Sequence, residues 1–155
     1  MRWPIAVERV EHERELTLAL AIREAVFIVE QQMTEDDEDA FDRVAFHVLA
    51  RERERAVGTG RLVVMEALFG GATGRWGRIG RMAVLREHRG KGVGGRILAA
   101  LEEEARRREV EGILLHAEVS ARGFYERAGY EAAGAVFDEG GLPCLEMRKL
   151  SASGA

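Results

Sequence analysis

The chain has 155 residues, 46% of them hydrophobic, which suits one domain with a core that folds unaided; a net charge of −4 gives no general attraction to nucleic acid phosphates. Its single cysteine, Cys144, excludes an internal disulfide framework or a multi-cysteine metal site and points to a reducing compartment. No stretch approaches the roughly 20 apolar residues that span a bilayer, and Met1-Arg2-Trp3-Pro4-Ile5 opens no signal-like run, so a soluble, cytoplasmic protein without membrane or nucleic acid partners is expected. From Glu13 to Glu30, Leu16, Leu20 and Phe27 recur with Leu18, Ile22, Val26 and Val29 at helical spacing, predicting a first helix with a broadly buried surface. The acidic run Glu35 to Asp39 then predicts a loop, either merely solvated or able to draw in a cationic ligand. Ala45 to Ala50 and Val57 to Val64 read as strands of a hairpin linked through the charged residues Arg51 to Arg55. A glycine-rich loop, Gly70 to Gly74, leads to a third strand, Ile79 to Val84.

After the turn from Arg89 to Gly95, the residues Val93, Ile97, Leu98, Leu101 and Ala105 form one apolar helix face. Glu102, Glu103 and Glu104 stand four residues ahead of Arg106, Arg107 and Arg108 on the other face, pairs worth about 0.2–0.5 kcal/mol each. Gly112 ends the helical stretch, Ile113 to Ala117 is a strand, and Ser120 can cap a short helix from Ala121 to Ala128 closed by Gly129. Strands near Ala132–Phe137 and Cys144–Lys149 are joined across Asp138 to Gly141. Residues 1–150 are read as a single domain and 151–155 as a disordered tail. The order of elements gives an α+β, or mixed α/β, fold.

The chemistry concentrates in Arg89-Gly90-Lys91-Gly92-Val93-Gly94. A helix N-terminus presents unpaired N–H groups and a partial positive charge, and glycines let a phosphate approach the bare main chain. Arg89, Lys91 and Arg96 add formal charge. The bland alternative is a tight strand-to-helix turn, yet four glycines among residues 90–95 exceed what one turn requires. Gly90-x-Gly92-x-x-Gly95 also matches a dinucleotide fingerprint, with Glu118 in the place of the ribose-binding acid, although five residues separate Val84 from Gly90. A nucleoside triphosphate loop fails, because no Gly-Lys-Ser/Thr follows. No metal-ligand pattern is present.

The loop resembles the Arg/Gln-x-x-Gly-x-Gly/Ala signature of the GNAT N-acetyltransferase superfamily, preceded by the strand Arg81-Met82-Ala83-Val84 and followed by a helix. Ala121 to Tyr130, with Phe124-Tyr125 and a closing Gly129-Tyr130, resembles the family's late helix. Arg23 to Gln31 and Gly141-Leu142-Pro143 resemble its small ElaA- or YjcF-like bacterial branch. The resemblance covers about Leu16 to Leu150. It implies a mostly antiparallel twisted sheet of roughly six to seven strands flanked by about four helices. It also implies an enzyme that transfers acetyl from acetyl-CoA, as co-substrate, to a primary amine by direct attack in a ternary complex, without metal. A non-catalytic acyl-CoA sensor is the alternative. On this resemblance Met82, Ala83 and Val84 hold the pantetheine, while Arg89, Gly90, Lys91, Gly92, Val93, Gly94 and Gly95 hold the diphosphate. Tyr125 protonates the departing sulfur, and the N–H of Val84 serves the oxyanion. The base that deprotonates the amine is sought among Glu30, His47, His116 and Glu118, with Glu30 first because it ends the helix beside the acceptor region. The family's habit of pairing final strands leaves room for a homodimer. Two departures stand out: Glu118 where many members carry Asn or Gln, and Cys144 where the branch often has His.

Overall fold

In the computed structural model residues 4–33, 37, 39–69 and 72–151 are described; Met1 to Trp3, Glu35, Asp36 and Glu38 of the acidic run, Gly70 and Gly71, and residues 152–155 of the tail lie outside them. Seven strands form one sheet in the order β1-β2-β3-β4-β5-β7-β6. They are β1 (Ile5–Arg9), β2 (Phe46–Glu52), β3 (Arg55–Phe69), β4 (Ala72–Val84), β5 (Gly112–Glu118), β6 (Glu131–Glu139) and β7 (Leu142–Leu150). Three α-helices accompany them among the described residues, α1 (Glu13–Arg23), α2 (Val93–Arg107) and α3 (Arg122–Arg127). The expected mostly antiparallel sheet is therefore present, with β4–β5 as the parallel pair. That topology removes the dinucleotide reading, which needs a parallel, doubly wound sheet.

The helices divide the two faces. Val93, Ile97, Leu98, Leu101 and Ala105 of α2, the apolar face expected from the sequence, are buried against Leu62, Ile79, Ile113 and Leu115. Ala19 and Ile22 of α1 pack with Val26, Leu49 and Ala83 on the other face. A π-helical segment, Glu24–Glu30, extends α1 and carries Val26 and Phe27 to the splayed end of the sheet.

Several elements depart from the sequence reading. β1 was not expected; it is a five-residue edge strand whose apolar content is little more than Ile5 and Val7. Ala72, Thr73 and Gly74, expected in a loop, belong to β4, because the β3–β4 hairpin runs much further than its central apolar part. Gly112, expected to close the helical stretch, opens β5, and α2 ends at Arg107. Ser120 does not cap α3; Val119–Ala121 is a short 3₁₀ turn and no side chain caps the helix. On α2, Arg107 and Arg108 pair with Glu103 and Glu104 as expected, whereas Glu102 accepts from the Tyr130 hydroxyl at 2.9 Å and from Lys149 at 3.1 Å. Ser151 is bonded into the fold through its N–H and hydroxyl to Glu111 and Val110 carbonyls.

Candidate active site

The site follows from where β4 and β5 stop pairing. Their parallel register runs from Trp76↔Gly112 to Ile79↔Leu115 and ends there, although both strands continue. The cause lies in β4. Thr59 and Arg61 of β3 face Ala83 and Gly80, so β4 holds one extra residue in a bulge, and Arg81 sits there at φ +51°. A left-handed backbone is costly for a residue with a side chain, and such strain persists where surroundings fix it. Here the Arg81 guanidinium donates to the Asp37 carbonyl at 3.0 Å and to Asp39 Oδ2 at 3.1 Å. Past the bulge, β4 swings away from β5 and leaves a cleft of about 600 Å³ between Met82–Val84 and His116–Glu118.

Strand alternation fixes the donors on this opening. The Leu85 N–H bonds to the Val57 carbonyl of β3, so the N–H and C=O of Val84 point the other way. That carbonyl accepts from Arg89 Nε at 2.9 Å, which leaves the Val84 N–H facing the cleft on the same edge. At the mouth, Gly90 and Gly92 have φ +80° and +86°, and a Cβ on either would meet nothing within 4 Å. Gly92 is the N-cap of α2 without a side-chain cap, and the first helical bond is from Arg96 N–H to Gly92 O, so the N–H groups of Val93, Gly94 and Gly95 are open. The shape and partial charge of this mouth suit an anion.

The residues singled out in the sequence gather here in large part. Met82, Ala83, Val84, Arg89, Gly90, Gly92, Val93, Gly94, Gly95 and Tyr125 all line the cleft. Lys91 turns aside to Glu52, which also accepts from His88. Glu30 stands at the rim in a bidentate pair with Arg89, both contacts 2.7 Å, and the hydrogen bond from Arg89 lowers its carboxyl pKa. The Tyr125 hydroxyl is 3.6 Å from Met82 Sδ, and its ring meets Phe124 and Tyr130 edge-on. Burial, then the charge of Glu118, pushes its pKa up to about 12.

The other proposed bases divide. His47 is buried outside the cleft, bonded to the Asp42 carbonyl at 3.0 Å, and burial lowers its pKa. His116 reaches the cleft but is engaged by Arg78 at 3.1 Å on Nδ1, with Glu146 3.5 Å from Nε2. Glu118 lines the cleft, half-buried, beside Cys144 of β7. Cys144 itself is buried with its pKa raised to about 11, chiefly by burial, which makes it a poor nucleophile. The described acids of the loop do not wait for a cation: Asp37 and Asp39 are taken by Arg23, Arg61 and Arg81. Sequence reading missed Arg81, although Gly80 inside a strand marks a bulge. It also missed Gln31 and Glu139, which reach the cleft only through the tertiary fold.

Comparison with known proteins shows the family. A family profile described as an acetyltransferase (GNAT) domain matches residues 13–151. The Bacillus subtilis protein YjcF, an uncharacterised N-acetyltransferase, is 33% identical over 90% of this chain and 95% of its own length. The structure of Escherichia coli ElaA superposes with a TM-score of 0.81 at 25% identity, covering 94% of this chain and 99% of that one. Arabidopsis thaliana Naa50, solved with the bisubstrate analogue CoA-Ac-MVNAL, shares the fold at a TM-score of 0.73 and 20% identity. No described helix is long and apolar enough to cross a membrane, and no metal-binding group of His, Cys, Asp or Glu occurs among the described residues.

Proposed function

The chain belongs to the GNAT acetyltransferase family, and from that membership as an acyl-CoA-dependent N-acyltransferase we propose that it moves acetyl from acetyl-CoA to a primary amine in a ternary complex. The observation that carries the proposal is the bulge-driven opening between β4 and β5, which leads from a glycine cradle at one end to Tyr125 inside.

The residues fit an acyl-CoA. Open N–H groups at the start of α2, with Arg89 beside them, suit the diphosphate, and Met82 to Val84 present an unpaired strand edge to the pantetheine amides. Bound there, the co-substrate supplies the thioester carbonyl that the amine attacks. The Val84 N–H would donate to the oxygen that gains charge. As the carbon–sulfur bond breaks, the Tyr125 hydroxyl gives its proton to sulfur, forming the free thiol. A tyrosine raised to about 12 is weaker than an ordinary one against a thiol near 8.5, but the burial and Glu118 charge that raise Tyr125 act on a thiolate in the same place. An amine near pKa 10.4 must also lose a proton. Glu30 can take it once Arg89 leaves its carboxylate for the diphosphate, so its base role is coupled to co-substrate binding. Glu30→Gln should then lower kcat and, by releasing Arg89 to the diphosphate, lower the KM of acyl-CoA as well.

The test is thiol release from acetyl-CoA and longer acyl-CoAs across a panel of amines, alongside titrations with CoA and NAD(H). Turnover of an amine with CoA binding and no NAD(H) binding is expected. CoA binding without turnover of any amine would assign a sensor instead.

A further inference from the structure

Resting on the acyl-transfer reading above, we infer that the acceptor is an amine carrying a second positive charge, a diamine or polyamine, and that Glu118 and Glu139 select it. The face of the sheet opposite α2 carries His116 and Glu118 of β5, Phe137 and Glu139 of β6, and Cys144 and Glu146 of β7, as strand alternation and the register require. The tip of the β6–β7 hairpin bends over this face. Glu139 Oε2 comes within 3.6 Å of His116 Nδ1, and a Cβ on Gly140 would lie 2.5 Å from Met33 Cε. The cleft end beside the hairpin tip thereby has Gln31, Glu118 and Glu139 in its wall.

That end is rich in acceptors without donors. Glu118 is half-buried, and its carboxylate has no hydrogen bond or ion pair among the described residues, although its charge is felt by Tyr125, Arg89 and Cys144. Glu139 accepts no hydrogen bond there either, since the facing lone pair of His116 is used by Arg78. The side-chain oxygen of Gln31 is buried with no hydrogen-bond partner among the described residues. Buried acceptors normally find donors, and half-buried carboxylates normally find cations. The nearby cations are committed elsewhere: Arg81 to Asp37 and Asp39, Arg78 to His116. A ligand that supplies several N–H donors and positive charge completes this wall. One that brings a carboxylate, such as an amino acid, is repelled by Glu118 and Glu139 in the cleft wall.

Glu118 lies close enough to Tyr125 to raise it, so an ammonium held by Glu118 stands beside the group assigned to the leaving sulfur. The second ammonium is then left to Glu139.

Calorimetry of protein saturated with CoA, titrated with terminal diaminobutane, butylamine and gamma-aminobutanoate, tests this without requiring turnover. Diaminobutane should bind at least about tenfold more tightly than either, and Glu118→Gln or Glu139→Gln should each lose about that factor. Thermal melts establish that each variant folds, and Glu139→Gln, half-buried near the hairpin tip, stands in if Glu118→Gln does not. Equal or tighter binding of gamma-aminobutanoate, or a preference unchanged in both variants, overturns the inference while leaving amine acylation intact. Diaminobutane that binds through these residues but is never acylated overturns the acyl-transfer reading and, with it, the diamine's role as acceptor, leaving a diamine-binding wall.

Discussion

Tyr125 shows how much one side chain depends on its surroundings. Among the described residues its hydroxyl has only Met82 Sδ within reach, and burial with the Glu118 charge keeps it protonated far above neutrality. Tyr125→Phe should therefore lower kcat by about 10²–10⁴ with the KM of acyl-CoA nearly unchanged, read from steady-state rates. Because the raised pKa means the proton is lost only near 12, the wild-type rate should show no alkaline fall from this group between pH 7 and 10. The Phe124-Tyr125 pair was legible in the sequence as a motif. The pairing of Glu30 with Arg89 was not, since 59 positions separate them and only the fold brings the end of the first helix to the glycine loop.

At the scale of elements, α2 was the most legible, because its apolar stripe and glycine start are both local signals. What positions α2 was less visible. Gly58 and Gly60 of β3 let the helix lie close on the sheet: a Cβ on Gly60 would stand 2.8 Å from Ile97 Cγ2 and 2.9 Å from Leu101 Cδ1. Ile97 and Leu101 are fully buried and cannot retreat freely. Gly60→Ala should cost about 1–3 kcal/mol in denaturant unfolding, and tilt of α2 should raise the KM of acyl-CoA as well. Glycine within a strand is a sequence cue for such close approach, yet the same two residues also read as ordinary members of an apolar strand. The π-helical turn after α1 had no local cue; its residues keep helical periodicity to within one position.

Across the whole molecule, a polar cluster binds pieces that hydrophobic packing alone would leave separate. Arg23, only 1% exposed, donates to Asp37 and Asp42, and Arg61 joins Asp42 to Asp39. It ties α1, the loop, β3 and the β4 bulge together. Burial opposes ionisation of Asp42, but hydrogen bonds from Arg23, the Asp39 backbone and Arg61 outweigh it and hold the carboxyl well below its usual range. Asp39 is lowered likewise, by Arg61 above all. Carboxyls with depressed folded pKa values contribute stability above their unfolded values, near 3.9, and lose it as the pH falls further. Asp42→Ala should cost about 3–5 kcal/mol at pH 7, because two buried guanidinium groups lose a partner, and the difference from wild type in urea unfolding should shrink as pH drops below about 4. The overall α+β order was readable from alternating local patterns, whereas this cluster was hidden inside what looked like a solvated acidic run.

The short parallel seam has a consequence of its own. Strands β1 to β4 and strands β5, β7 and β6 are stitched directly along only Trp76–Ile79 and Gly112–Leu115, so the sheet is two leaves on a short spine. A co-substrate lying against Met82 to Val84 would lengthen that spine from its open end. In this protein the molecule being consumed would double as missing fabric, and each turnover would leave the two leaves less firmly joined than before it began.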